Sequence, residues 1–233
     1  MSPDAATQQP LTPPAPIPAW PRYARPAFAV VAVLNLLFEA AGPRIAFDLT
    51  KPLLMPLLAL ALLARGRRVP PLLLVALLGS TIGDTMLLFS GTWFLVGMAG
   101  FATTHVCYIT LFRRAGAHRN RRRFLAGTLF YGVLWVVLLS SLWSGLAANM
   151  RIPVACYSLL LALMAIHAYA SGNSRAAQGG ALFLFSDTLI AGGLAHWHTI
   201  QGIGFAIMAT YILGQYQLAT GIMAATARSR TSR

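Results

Sequence analysis

Past residue 26 the chain alternates between long apolar runs and short polar interruptions. A helix needs about 20 residues to span the hydrocarbon core of a bilayer. Eight segments of roughly that character follow one another, at about 27–42, 47–65, 71–90, 92–112, 124–146, 151–170, 176–195 and 202–224. The first is short and carries Asn35 and Glu39. Connections as short as Ser90-Gly91 leave neighbouring helices no choice but to run antiparallel. Residues 1–26 hold eight of the fourteen prolines and no apolar run, and read as a disordered tail rather than a signal peptide. Residues 225–233 read as a basic tail. The expectation is an all-α, polytopic integral membrane protein, with eight transmembrane helices forming one domain over 27–224.

Composition agrees. The chain of 233 residues is 57% hydrophobic and only 10% charged, with mean hydropathy +0.66. Soluble domains carry about 25% charged residues. The net charge of +13 raises nucleic acid as a partner, but the arginines lie between apolar runs rather than on one soluble face. Orientation in the membrane explains them better. With eight spans and a cytoplasmic N-terminus, 15 of the 18 basic residues fall on the cytoplasmic side. Only Arg44, Lys51 and Arg151 fall outside. Both termini are therefore expected in the cytoplasm, and the arginine-rich character suits a bacterial cell (inner) membrane. The run Arg119–Arg123 reads as a solvated cytoplasmic loop that can touch anionic head groups.

Two aspartates interrupt this pattern. Asp187 sits in Ser186-Asp187-Thr188 and Asp84 in Gly83-Asp84-Thr85, each within an apolar run. A charged side chain at the bilayer centre costs about 3 kcal/mol or more, so such a residue faces a protein interior or a wet cavity. The surroundings of the two are alike: Gly83–Leu87 resembles Ser186–Ile190, and Gly100-Phe101-Ala102 matches Gly204-Phe205-Ala206. Lys51-Pro52 and Arg151-Ile152-Pro153 open the second and sixth spans. Such a pattern fits a four-plus-four parallel repeat with both aspartates near the interface of the halves.

A carboxyl group in low-dielectric surroundings can keep its proton near neutral pH and serve as a general acid, with a second carboxylate as its partner. Asp84 and Asp187 are the catalytic candidates; the alternative is a pair of polar pins between helices. Lys51, the sole lysine, could hold a substrate phosphate as a point charge, helped by Arg151 or Arg44, or could merely snorkel to the surface. His105, Tyr108, Tyr157, Ser186, Tyr211 and Gln215 are candidates for substrate contacts, the alternative for each being a hydrogen bond between helices. His105 and Tyr108, three apart, share a helix face. By depth, Gln201 joins Tyr157 in outlining one outward-opening cavity, and Glu39 and Asp48 lie near the outer surface. His196-Trp197-His198, in the outer loop between the last two spans, could bind metal but needs none to sit at an interface. Cys107 and Cys156, both inside apolar runs, read as packing residues.

Taken in order, Thr50-Lys51-Pro52-Leu53, Gly83–Leu87, Gly97 with His105 and Tyr108, Gly180–Phe183 leading to Ser186-Asp187, and Tyr211 with Gln215 resemble the YhhN/TMEM86 family over about residues 28–224. The resemblance implies eight spans and a lysoplasmalogenase activity: hydrolysis of the vinyl ether of a lysoplasmalogen to a fatty aldehyde and a glycerophospho-alcohol. It further implies that Lys51, Asp84 and Asp187 occupy the family's polar positions. The substrate is then a lysophospholipid met among membrane lipids, and no cofactor is required. Two other classes stay open on the residues alone. One is a metal-dependent lipid hydrolase using Asp84, Asp187 and His105. The other is a lipid or proton-coupled transporter.

Overall fold

The computed structural model describes residues 20–66, 68–197 and 201–231. The tail expected before residue 20, Arg67, His198 and Arg233 lie outside the described residues. Among the described residues there are helices and no strands. The elements are α1 (Trp20–Ala41), α2 (Arg44–Thr50), α3 (Leu54–Leu63), α4 (Pro71–Met86), α5 (Trp93–Arg114), α6 (Arg121–Trp143), α7 (Ala148–Ala170), α8 (Ser174–Leu194) and α9 (Ile203–Thr231). A tight turn of 3-10 helix, Lys51–Leu53, joins α2 to α3, so these two form one helical run. The resulting eight runs follow the eight apolar segments of the sequence. Five are long and apolar enough to cross a membrane: Pro21–Ala41, Arg44–Leu63, Trp93–Arg114, Arg121–Trp143 and Ala148–Ala170. Pro71–Met86 is apolar but shorter. The fold is that of a polytopic all-helical membrane protein.

Three boundaries differ from the hydropathy pattern. α1 begins at Trp20, so the last residues given to the proline tail are helical, with Pro26 inside the helix. Pro21 in the first turn costs nothing, because its missing N–H would have had no helical partner. α9 runs on to Thr231, through most of the stretch read as a basic tail. Ala, Arg and Thr there continue the helix without adding hydropathy. The arginine run is also no simple loop: Ala117–Arg119 is a 3-10 turn, Asn120 caps α6 by accepting from Arg123 N–H at 3.3 Å, and Arg121–Arg123 form the first helical turn. The arginines are nonetheless exposed.

α4 with α5, and α8 with α9, form the two closest hairpins, while α7 packs on α5, α6 and α8, and α1 packs on α3 and α9. Glycines bring the hairpins together. A Cβ on Gly79 would lie 2.8 Å from the carbonyl oxygen of Gly100, and one on Gly100 would lie 2.7 Å from that of Gly79. Gly179 and Gly214 meet in the same way at 2.8 and 3.1 Å. Small residues suit membrane packing, where close backbone approach replaces the hydrophobic drive available in water. The glycine registers depart from the internal repeat: Gly204, equated with Gly100 by sequence, lies instead against Glu39 of α1. α6 is peripheral, with Leu129, Phe130, Val133 and Val137 exposed on a surface suited to lipid.

Candidate functional site

The hairpins, α6 and α7 surround a cavity of about 1000 Å³, its open mouth included. Asp84 from α4, Asp187 from α8 and Lys51 from the turn between α2 and α3 all reach it, with Tyr157, Tyr211 and Ser186. The rest of the wall is mainly apolar and includes Leu87, Phe94, Met98, Leu138, Leu142 and Leu194.

Lys51 is presented by a local irregularity. Pro52 has no N–H to donate, and the helix tightens into the 3-10 turn there before resuming at Leu54. The preceding residue, Thr50, is held by Asn35 of α1, whose Nδ2 donates to Thr50 Oγ1 at 3.0 Å. Thr50 in turn donates to the Ala46 carbonyl at 2.9 Å. Lys51 Nζ lies 5.8 Å from the Phe47 ring centroid and interacts electrostatically with both carboxyl groups, without an ion pair to either. Among the described residues the ion pair that does form is Arg44–Asp48, at 3.1 Å on the surface. Arg44 is thereby engaged by Asp48, and it also lies over the Phe47 ring, 4.9 Å from its centroid. Arg151 donates from Nε to the Leu146 carbonyl at 3.2 Å and stacks over Trp143. Neither arginine lines the cavity.

Each aspartate is held by a tyrosine. Tyr211 donates its hydroxyl to Asp84 Oδ2 at 2.6 Å. Tyr157 donates to Asp187 Oδ2 in a short hydrogen bond. Asp84 is 1% exposed and Asp187 is half-buried, so Asp187 is the more open of the two. Phe101, Phe183 and Tyr211 meet edge to face beneath the site, with centroids 5.5–6.0 Å apart. Such pairs add about 0.5–1.5 kcal/mol each beyond their burial. They fix the floor on which the two tyrosine–aspartate pairs stand.

The other candidates lie behind this first layer. His105, Tyr108 and Gln215 are fully buried and do not line the cavity. His105 and Tyr108 share a face of α5 yet serve different partners: His105 Nε2 meets Tyr157 OH at 3.2 Å, while Tyr108 donates to Gln215 Oε1 at 2.7 Å. Ser186 reaches the cavity wall, but its hydroxyl donates to the Ile207 carbonyl at 3.0 Å and pins α8 to α9. Gln201 is exposed and outside the cavity lining. Among the described residues no three His, Cys, Asp or Glu side chains converge as metal ligands would. His196 has a left-handed backbone, φ 57°, and its neighbour Trp197 covers Gly192. Cys107 is buried and Cys156 exposed. The sequence pattern missed Trp135, whose indole N–H donates to Ser158 Oγ at 3.0 Å on the cavity wall, and the buried pair Ser80 and Thr104 behind Gln215. A Trp in an apolar run and hydroxyls in a helix carry no periodic signal.

No solved structure matches the chain. The rat protein named lysoplasmalogenase TMEM86B (Rattus norvegicus) is 33% identical over 172 residues, covering 72% of this chain and 68% of its own length. The human protein of the same name (Homo sapiens) is 32% identical over 151 residues, 60% of this chain and 58% of its own. The family model of YhhN matches residues 46–222, a span that holds Lys51, both aspartates and both tyrosines that bind them. The chain belongs to the YhhN family.

Proposed function

We propose that this protein is a lysoplasmalogenase-like membrane hydrolase, cleaving the vinyl ether of a lysophospholipid to a fatty aldehyde and a glycerophospho-alcohol. The observation that carries the reading is that two carboxyl groups and the sole lysine line one cavity whose walls are otherwise mainly apolar. The names of the rat and human relatives point to the same substrate class.

An enol ether is cleaved by protonating its β-carbon. Asp187, the more open carboxyl group, gives that proton in its neutral form, and the vinyl ether becomes an oxocarbenium ion. Asp84, in its carboxylate form, stabilises the cation and takes a proton from the water that adds to it. The resulting hemiacetal collapses, its glycerol oxygen leaving with a proton, to aldehyde and alcohol. Net, one water is consumed and both carboxyl groups return to their starting states. Lys51 holds the head-group phosphate, and the apolar wall holds the alkenyl chain. The chain sits in a bacterial cell membrane with both termini in the cytoplasm.

Mass spectrometry of the purified protein incubated with lysoplasmalogen, beside its acyl and alkyl analogues, tests this. Aldehyde release from the vinyl ether alone is the expected result. Release of fatty acid from the acyl lipid instead, or transport into vesicles without product, would replace the reading.

A further inference from the structure

Behind each tyrosine–aspartate pair stands one more donor. Their arrangement fixes the direction of every hydrogen bond that reaches the carboxyl groups. The α9 arm can be followed from its far end. The backbone carbonyl of Ala76 can only accept, so Thr104 donates to it, at 2.8 Å. Thr104 has one proton, so in its 2.9 Å contact with Ser80 it accepts and Ser80 donates. Ser80 Oγ therefore accepts in its 2.7 Å contact with Gln215, which must present its NH₂ there. The amide orientation follows, with Oε1 toward Tyr108 at 2.7 Å and Nε2 also facing the Tyr211 oxygen at 3.5 Å. An N–H on that oxygen leaves the Tyr211 proton one partner, Asp84 Oδ2 at 2.6 Å.

The α5 arm repeats the logic with different residues. His105 Nε2 faces the Tyr157 oxygen at 3.2 Å, and Tyr157 faces Asp187 Oδ2. His105 Nδ1 is buried and has no hydrogen-bond partner among the described residues. A proton there would be an orphaned buried N–H, which is rarer in folded proteins than an orphaned acceptor. The proton therefore sits on Nε2, His105 donates to Tyr157, and Tyr157 donates to Asp187. Oδ1 of neither aspartate has a protein partner among the described residues, and neither is sealed from the cavity.

We propose that Gln215 and His105 are positioning residues: each donates an N–H to a tyrosine oxygen, commits that tyrosine's proton to Oδ2 of Asp84 or Asp187, and so leaves Oδ1 as the oxygen that meets substrate. The consequence for turnover rests on the proposed hydrolase activity; the consequence for hydrogen bonding does not. This role differs from the substrate contact that the sequence pattern offers for these residues, since neither reaches the cavity.

The test compares His105→Leu, which removes the donor, with His105→Gln, whose amide nitrogen can take the place of Nε2. His105→Leu is expected to lower kcat on the order of 10²-fold, as for a small misplacement of a reacting group, with KM within about twofold. His105→Gln recovers most of the rate. The double variant His105→Leu/Tyr157→Phe is no slower than the slower single variant, because His105 acts through the Tyr157 proton. A raised KM at unchanged kcat, no recovery by Gln, or additive losses would overturn the proposal. Infrared spectroscopy with labelled aspartate supplies an arm independent of activity. The Asp187 band, assigned by its loss in Asp187→Asn, shifts in His105→Leu as it does in Tyr157→Phe, and the Asp84 band shifts in Gln215→Met. Unshifted bands overturn the proposal even if turnover falls. If the wild type leaves lysoplasmalogen intact, the hydrolase reading fails, and the infrared arm still decides this one. Should His105→Leu not fold, His105→Asn, whose amide is too short to reach Tyr157, replaces it.

Discussion

Tyr211 donates to Asp84 at 2.6 Å across 127 positions of sequence, tying α9 to α4. Tyr157 ties α7 to Asp187 on α8 in the same manner. Two carboxyl groups thus face one mainly apolar cavity, each with one oxygen committed to a tyrosine.

Asp84→Asn and Asp187→Asn are each expected to abolish aldehyde release while the protein stays folded. Asn keeps the volume and can still accept from the tyrosine, but cannot give a carboxylic proton or carry the negative charge. General acid–base catalysis is typically worth 10²–10⁴-fold. A variant that keeps more than about a tenth of the wild-type rate removes that residue from the chemistry. Size-exclusion chromatography in detergent checks the fold.

Lys51→Ala is expected to act on binding. Among the described residues the side chain has no ion-pair partner, which fits a role in holding a head-group phosphate. KM for lysolipid should rise about tenfold or more while kcat changes little, the pattern of lost uniform binding. An unchanged KM would mean that Lys51 only snorkels.

The glycine contacts can be probed without touching the site. Gly79→Val and Gly179→Val each push a side chain into the backbone of the facing helix, since even a Cβ would come within 2.8 Å of a carbonyl oxygen. Overpacking costs about 1–3 kcal/mol, sometimes more. Thermal unfolding in detergent should show a lower midpoint for both variants, and Gly132→Val, where nothing lies within 4 Å, should leave it in place.

Much of this site was legible before the fold because charge in an apolar run is expensive. Asp84, Asp187 and Lys51 stood out for that reason, and the structure brings all three to one cavity. Tyr157, Tyr211 and Gln215 stood out as polar groups at membrane depth. Their partners did not, because the pattern gives depth along a helix but not rotation about its neighbours. His105 and Tyr108, three residues apart, show the limit: one face of one helix feeds two separate arms. Ser80 and Thr104 were invisible, since a hydroxyl in a helix can satisfy itself on its own backbone, as Thr81 and Thr85 do. The end of α9 lies beyond the apolar run because helix propensity extends past the point where hydropathy stops, whereas the start of α1 is hidden by its prolines, of which Pro21 is tolerated in the first turn.

The proposed orientation, both termini in the cytoplasm, rests on 15 of the 18 basic residues falling on one side of an eight-span arrangement. Fusion of alkaline phosphatase to the C-terminus should give no activity, and fusion of a fluorescent protein that folds only in the cytoplasm should glow. An active phosphatase would overturn the arrangement.

The last prediction concerns which bond breaks. Two routes lead to the same products. In one, Asp187 protonates the vinyl carbon and water adds to the carbon that bears the ether oxygen, so the glycerol oxygen stays with glycerol. In the other, a nucleophile displaces an enol from the glycerol carbon, and the enol becomes the aldehyde. Solvent deuterium enters the aldehyde either way, and aldehyde oxygen exchanges with water, so neither label decides. The glycerol oxygen does. Turnover in ¹⁸O-water is expected to leave the glycerophospho-alcohol unlabelled, and the rate should fall in D₂O because a proton moves to carbon in the slow step. The cation route is preferred because the polar groups that reach the cavity include two carboxyl groups suited to an oxocarbenium ion. A displacing nucleophile would need an activated side chain. The Ser186 hydroxyl is instead bonded to the Ile207 carbonyl, and the Ser158 hydroxyl accepts from Trp135. Label in the glycerol product would rule out protonation at carbon, whatever the aspartate variants do.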